Sequence, residues 1–407
     1  MKLLHTADWH LGKRLGEYSR LEEQERVLGE ICEIAEREAV DAVLIAGDLF
    51  DTFNPSNEAS ELFYRTVHRL SAYGQRAVIA IAGNHDSPDR IEAPDPLARE
   101  CGILLIGRAS TVVPALKTEN GVELLRAEPG FVELRLPRHA YPLRLLLTPY
   151  ASEITLKKYL GDQNPDQELR NLLRQDWHRL ADTYCDTKGV NVLMAHLYFM
   201  PLHGVAPEEP DDEKPILHLG GASAIFTEDV PAAMQYAALG HLHRYQTVAQ
   251  HPCPICYSSS PLAYSFSEAH QQKQVVVAEV IPGETAQVRA VPLQQGRTLH
   301  RKRFETTEEA LIWLRAHPNT FVELTLVSES YLESKIKRSL YEAHDGIVSI
   351  IPEISQEGEE ATETAPRIDL SKDLRSLFTD YFQQRKGQAP NEELLALFDE
   401  VMGTDHE

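Results

Sequence analysis

Cysteine and positive charge are both scarce in this chain. Its five cysteines, Cys32, Cys101, Cys185, Cys253 and Cys256, are odd in number and scattered, which excludes a disulfide scaffold and fits a reducing compartment. Cys253 and Cys256 form a C-x-x-C, but zinc would want a second pair and none is present. Lys and Arg number 40 against 62 Asp and Glu, a formal charge of −22. Such a surface repels polyanions as a whole, so a nucleic-acid substrate would need metal ions, a basic patch or a partner. No apolar run is long enough to span a bilayer. The opening "KLLHTADWH" carries charge where a secretory leader needs an unbroken apolar core, so a cytoplasmic protein is expected. There is also no phosphate-cradling G-x-x-x-x-G-K-S/T, so the chain cannot supply ATPase activity.

What is present is an ordinary globular composition, 43% hydrophobic and 25% charged over 407 residues, long enough for two or three domains. Three apolar runs near the N-terminus each end in a polar cluster. "KLLHTA" leads to Asp8-Trp9-His10, "DAVLIAG" to Asp48 and "AVIAIAG" to Asn84-His85-Asp86. Between them, Leu21, Leu28, Ile31 and Ala35, then "NEASELFYRTVHRLSAYG", recur at helical spacing. Strand, helix, strand, helix, strand implies a parallel sheet with crossover helices. In such sheets the site lies beyond the carboxyl ends of the strands, where these clusters fall. Two later runs end alike, "VNVLMA" at His196 and "YAAL" at Gly240-His241-Leu242-His243. An acidic loop is expected over Pro207–Lys214, and a turn at Pro282-Gly283.

Five strand ends thus supply carboxylate, amide or imidazole, with a glycine just before Asp48, Asn84 and His241 to let the backbone turn tightly. Mixed oxygen and nitrogen donors suit manganese, iron or zinc better than calcium. Two such ions need a shared carboxylate, and Asp48 is central in the order. Paired ions can clamp the attacking and leaving oxygens of a displacement at phosphorus.

The motifs "DWH", "GDLFD", "GNHD", the lone His196 and "GHLH" resemble the signature blocks of the calcineurin-like metallophosphoesterases. More narrowly, "HTADWHLGKRL", "AGDLFDTFNPS", "AGNHDSPDR" and "ALGHLH" resemble the SbcD nuclease family. That resemblance implies an α/β fold: a metallophosphoesterase β-sandwich with flanking helices, a small α+β capping domain and C-terminal helices. It implies two divalent ions, most readily manganese, with Asp8, His10 and His243 on one, Asn84, His196 and His241 on the other, and Asp48 between them. His85 would face the scissile phosphate and protonate the leaving oxygen. Asp51 matches the position that orients this histidine in related phosphatases, with a cap on the following turn as the alternative. The implied activity is DNA cleavage in repair and recombination, as a 3′ to 5′ duplex exonuclease and a hairpin and single-strand endonuclease. A phosphatase of the same superfamily remains the alternative; protein phosphatases there read Gly-Asp-x-x-Asp-Arg-Gly and Gly-Asn-His-Glu, where this chain has Thr52 and Asp86. Family members usually carry glycine at the position of Ser259.

The sandwich is expected over 1–283 and the capping module over 284–351, its elements "AQVRAVPL", "TTEEALIWLRAH", "FVELTLV", "SYLESKIKRSLYEA" and "IVSIIPEI". Its basic residues Arg301, Lys302, Arg303, Lys335, Lys337 and Arg338 are candidate DNA contacts. A Glu-, Thr- and Pro-rich linker is expected over 352–367, then two amphipathic helices over 368–403. Their stripes, among them Leu374, Leu377, Phe378, Tyr381, Leu395 and Phe398, have little core of their own to cover them, which points to a partner groove. By resemblance that partner is an SbcC-like coiled-coil ATPase, joined by a homodimer of this chain within a heterotetramer.

Overall fold

A computed structural model of the chain describes residues 1–151, 165–208, 224–328 and 332–354, and isolated positions from 375 to 398. The chain divides into two compact units, Met1–Ile354 and Ser355–Glu407. In the first, Lys2–Thr6, Ala42–Ala46, Ala77–Ile81 and Ile103–Ile106 lie side by side and parallel. Helices Leu21–Arg37 and Asn57–Leu70 make the first two crossovers. The second helix starts where Ser56 Oγ accepts the Ala59 N–H at 3.2 Å, a side-chain cap on an otherwise orphaned donor.

Alternation along the strands gives this sheet two apolar faces. Leu4, Val43, Ile45 and Val78 join Leu28, Ile31, Phe63 and Val67 of the two helices. Leu3, Leu44, Ile79 and Ile81 point the other way, into a cluster shared with Leu145, Val192, Met194 and Tyr236. Those residues belong to a second, seven-stranded sheet whose centre, Leu143–Thr148, Val190–His196 and Tyr236–Gly240, is parallel. Helix Pro165–Tyr184 covers its outer face with Leu169, Leu173, Trp177 and Leu180. Each such side chain contributes roughly 1.5–3 kcal/mol on burial, so apolar packing holds the layers and leaves the strand ends free for chemistry.

Two antiparallel strands, Gln274–Glu279 and Gln287–Pro292, extend the first sheet beside Lys2–Thr6. The run "AQVRAVPL" therefore does not open the small module. The expected turn at Pro282-Gly283 folds it back as a hairpin partner, a pairing that strand periodicity alone does not reveal. The module itself holds three parallel strands, Thr298–Phe304, Thr320–Ser328 and Ile347–Ile354, linked by helices Thr307–Ala316 and Ser334–Ala343. Its last strand takes in Pro352–Ile354, the start of the expected linker; positions 355–367 lie outside the described residues. Leu299 and Phe321 of the module pack on Leu15 and Phe266 of the sandwich.

In the second unit, Leu377, Phe378, Leu395 and Phe398 are helical and half-buried. The rings of Phe378 and Phe398 stack with centroids 4.4 Å apart, so the two apolar stripes meet there. Leu374 and Tyr381, and positions 209–214 of the acidic loop, lie outside the described residues.

Candidate metal centre

Backbone pairing does not stop where the strands end. Asp8 N–H donates to Gly47 O at 3.0 Å, His10 N–H to Asp48 O at 2.9 Å and Leu11 N–H to Leu49 O at 3.0 Å, so two loops leave the sheet clamped together. Four residues there hold left-handed backbone without being glycine: Asp8 (φ 54°), His10 (φ 43°), Asp48 (φ 48°) and His241 (φ 109°). Such conformations cost on the order of 1–3 kcal/mol each and persist where surrounding structure enforces them. The glycines before Asn84 and His241 serve a different purpose from the tight turn expected of them. A Cβ on Gly83 would stand 2.1 Å from Asp48 Oδ1, and one on Gly240 1.8 Å from Ala46 O; these positions need close approach, and only Gly47 before Asp48 has positive φ.

The loops bring seven donor side chains into two adjoining groups, beside a third, partly exposed group of His10, Asp51 and His85. Asp8, His10 and His243 form one and Asp48, His196 and His241 the other, with the ligand atoms of each group within 4.8 Å of one another. Asn84 Oδ1 joins the second, 3.0 Å from His196 Nε2 and 3.0 Å from His241 Nδ1. Asp48 Oδ2 stands between the groups, 3.5 Å from His10 Nε2 and 3.4 Å from His196 Nε2. His241 and His243, two apart in sequence, fall into different groups. Asp8, His10, Asp48, His196 and His243 are buried, whereas Asn84, His85 and His241 are half-exposed and mark the open side.

The donor set fits divalent ions. Asp8 Oδ2 is buried without a hydrogen-bond partner, a placement that costs free energy unless a cation meets it. His10 Nε2 and His243 Nε2 face each other at 3.0 Å, two nitrogens directed at one point. Burial lowers His10 to about 4, leaving a neutral ring with a lone pair to give. Burial disfavours charge on Asp48 and His196 as well, yet their attraction prevails: Asp48 is held well below the ordinary carboxylate range and His196 is raised to about 9. His196 Nδ1–H donates to Ala46 O at 2.8 Å, so Nε2 is the nitrogen that faces Asp48 and Asn84. Without ions, a proton on Nε2 takes the place of one.

Ion binding should therefore depend on pH. His196 rises from 6.5 to about 9, so its proton stabilises the ion-free chain fully below the lower value and is lost as pH climbs through the upper one. An ion must displace that proton. Loading at neutral pH is expected to release protons, with affinity rising about tenfold per pH unit until about 9. Titration calorimetry in buffers of different ionisation enthalpy measures this; heats independent of buffer would contradict it.

His85 sits on the open side, its ring centroid 4.8 Å from that of His10. Its N–H donates to Asp48 Oδ1 at 2.9 Å. Its Nδ1–H donates to the main-chain carbonyl of Asp51 at 2.9 Å, so the hydrogen bond that fixes the ring comes from that residue's backbone. The Asp51 carboxylate pairs with Lys13 Nζ at 3.0 Å and lies 3.6 Å from His10 Nδ1, with an oxygen within 4.8 Å of a ring nitrogen of His85 as well. Despite partial burial, these partners lower it to about 2. Because the carbonyl survives substitution, Asp51→Asn is expected to lower the hydrolytic rate less than about tenfold, under ~1.4 kcal/mol. Steady-state kinetics would show it, and a loss matching that of His85→Gln would restore the orienting role to the carboxylate.

A model of the calcineurin-like phosphoesterase family matches residues 1–198. Over 410 residues the chain is 35% identical to SbcD of the SbcCD nuclease of Bacillus subtilis, covering 98% of this chain and 97% of that one. This chain belongs to the SbcD family. It is also 32% identical over 300 residues to SbcD of the SbcCD nuclease of Rhodobacter capsulatus, spanning 72% of this chain and 69% of that one.

In this SbcD-family chain several supporting residues escape sequence reasoning because nothing local marks them. Gln24, on a helix face, reaches back to the loop: its amide donates to His10 O at 2.8 Å and its oxygen accepts the Gly12 N–H at 3.0 Å. Tyr264 OH donates to Trp9 O. Asp86, which beside Ser87 and Pro88 reads as a turn residue, is buried and accepts the N–H groups of Gly83, Leu49 and Phe50 at 2.8, 3.0 and 2.9 Å. It thereby ties the Asp48 loop to the Asn84 loop. Trp9 is buried, packs on Phe63 and donates to Thr6 Oγ1 at 3.0 Å. Ser259 holds φ 82°, where glycine would be unstrained; its hydroxyl accepts the Gln274 N–H at 3.1 Å and donates to Ser260 O at 3.0 Å.

The basic residues of the small module are largely matched by acids. Arg301 pairs with Glu323 at 2.7 Å, Arg303 with Glu353 at 2.8 Å and also with Glu305, and Arg338 with Glu342 at 2.8 Å. Lys302 Nζ lies 5.5 Å from the centre of the Trp313 ring. Lys335 and Lys337 are exposed. Exposed pairs of this kind are weak, so a phosphate can compete for their cations. Among the described residues no helix is long and apolar enough to cross a membrane.

Proposed function

We propose that this chain cleaves DNA phosphodiesters with two divalent ions shared by Asp48. The observation that carries the reading is the single oxygen of Asp48 lying 3.5 Å from His10 and 3.4 Å from His196, between two separate donor groups. Asp8, His10 and His243 would hold one ion, and Asn84, His196 and His241 the other. The mixed nitrogen and oxygen donors favour manganese over calcium. Bound there, such a pair would supply a more acidic water and neutralise charge developing on the phosphate. The chain's own part is to orient and to move a proton. Asp51 O accepts from His85 Nδ1–H, so Nε2 faces the open side, where the doubly protonated ring would give its Nε2 proton to the leaving oxygen and be left as the neutral Nδ1–H tautomer. The net charge of −22 is overcome locally by the ions, by Lys13 at the rim and by Lys335 and Lys337, with Arg301, Lys302, Arg303 and Arg338 as further contacts once their pairs open.

Likeness to SbcD proteins of SbcCD nucleases supports duplex exonuclease and hairpin endonuclease activity in DNA repair and recombination, with an SbcC-like coiled-coil ATPase as partner and two copies of this chain in the assembly. Part of the C-terminal stripes is used by the Phe378–Phe398 stack, and the remaining faces are where that partner docks. The test is the purified chain with manganese on a labelled duplex, a labelled hairpin and a phosphomonoester. Both DNA substrates are expected to be cut. Turnover of the monoester with untouched DNA would favour a phosphatase instead. The same assay on a chain ending at Pro366 should retain cutting of single strands while losing co-purification with the ATPase; retained co-purification would place the docking surface elsewhere.

A further inference from the structure

Behind His243 stands a buried carboxylate that neither holds an ion nor faces the substrate. Glu268 is fully buried at the end of a short 3₁₀ turn, Phe266–Glu268. Its Oε1 lies 3.4 Å from His243 Nδ1, the ring nitrogen opposite the one that faces His10, and accepts the Tyr264 N–H at 3.2 Å. Its Oε2 lies 2.5 Å from Lys273 Nζ. The same ammonium donates to His243 O at 2.7 Å and to Ser260 Oγ at 2.9 Å.

A buried ion pair seldom adds net stability over apolar packing of the same volume. Stability is therefore a poor account of why Glu268 and Lys273 are placed here. Imidazoles that bind metal ions commonly give their second N–H to a carboxylate or carbonyl, which fixes ring plane and tautomer and makes the ligating nitrogen a better donor. His196 uses Ala46 O in this way. For His243 the acceptor is a carboxylate held on its other side: Lys273 occupies Oε2, keeps Oε1 aligned on the ring and, through the His243 carbonyl, fixes the backbone that carries it.

We propose that Glu268, braced by Lys273, is a positioning residue for His243, holding Nε2 toward Asp8 and His10 and so setting ion affinity at that group alone. This rests on the two-ion reading. The group of Asp48, His196 and His241 makes no use of Glu268, so the effect is selective, and selectivity separates positioning from general loosening.

Manganese alone, titrated into the metal-free full-length chain, is the probe. Calorimetry counts and ranks the sites, and electron paramagnetic resonance distinguishes a spin-coupled pair from isolated ions. The unmodified chain should take two ions. Glu268→Gln should weaken one site by about 10–100-fold, leave the other unchanged and replace the coupled signal by that of an isolated ion. Because this variant strands the Lys273 ammonium, Glu268→Gln/Lys273→Met removes both charges. A double variant that melts near the unmodified chain yet shows the same selective weakening supports positioning. Unchanged affinity at both sites, equal weakening at both, or loss of cooperative folding in both variants would overturn it. Fewer than two ions on the unmodified chain would sink the two-ion reading instead.

Discussion

Asp48→Asn is expected to abolish measurable hydrolysis. The substitution keeps the side chain's size and an oxygen for the His85 N–H, now 2.9 Å from Asp48 Oδ1, while removing the negative charge that lies between His10 and His196. Neither group then has a shared anion, and two dications brought to adjoining sites repel each other unscreened. Losing one preorganised donor to developing charge costs about 10²–10³ in rate; losing the shared ligand should cost on the order of 10³ or more, with the second ion gone from the protein. The fold should persist, because the sandwich is held by the two apolar clusters on either face of the first sheet. Rates on duplex DNA and metal content by elemental analysis check this together. A variant with two bound ions and more than a tenth of the rate would show that Asp48 is not shared.

His85→Gln should lose rate without losing ions. His85 lies outside the two buried groups proposed to hold ions, in the partly exposed group with His10 and Asp51, and its Nδ1 is taken by Asp51 O. What it offers is a proton on the substrate side. General acid catalysis is worth about 10²–10⁴, so kcat should fall by about that factor, with two ions retained and KM little changed. The loss should shrink on a nitrophenyl phosphodiester, whose leaving group needs no proton. Equal losses on DNA and on the activated ester would move His85 from proton donor to a role in binding or charge stabilisation. The comparison with Asp51→Asn is informative because the hydrogen bond between the two residues runs to a main-chain atom.

Much of the centre is legible in the sequence because parallel strands export their chemistry to one edge. Asp8, Asp48, Asn84, His196 and His241 each follow an apolar run, and a run of that kind in a layered fold has only one end from which to present a polar group. The helices are equally plain, since Leu28, Ile31 and Ala35, or the Ser56 cap, state their faces and starts locally. The hairpin strand Gln287–Pro292 falls in a different sheet from the one expected because an alternating strand carries no record of which sheet it will join. Asp86 departs from expectation for a related reason. Beside Ser87 and Pro88 a carboxylate looks like a turn residue, and only the approach of the Leu49 and Phe50 amides makes it a buried clamp.

The sequence by itself determined the donor types, their order and the sheet edge that carries them, because periodicity and strand polarity are local properties of the chain. Tertiary structure decided what lies between groups far apart in sequence. It set one Asp48 oxygen between His10 and His196, gave the orienting contact on His85 to a carbonyl and not to a carboxylate, and brought Glu268 behind His243. These are contacts between side chains on different loops, and they are set only when both sheets pack and the strained loop backbones are locked against each other.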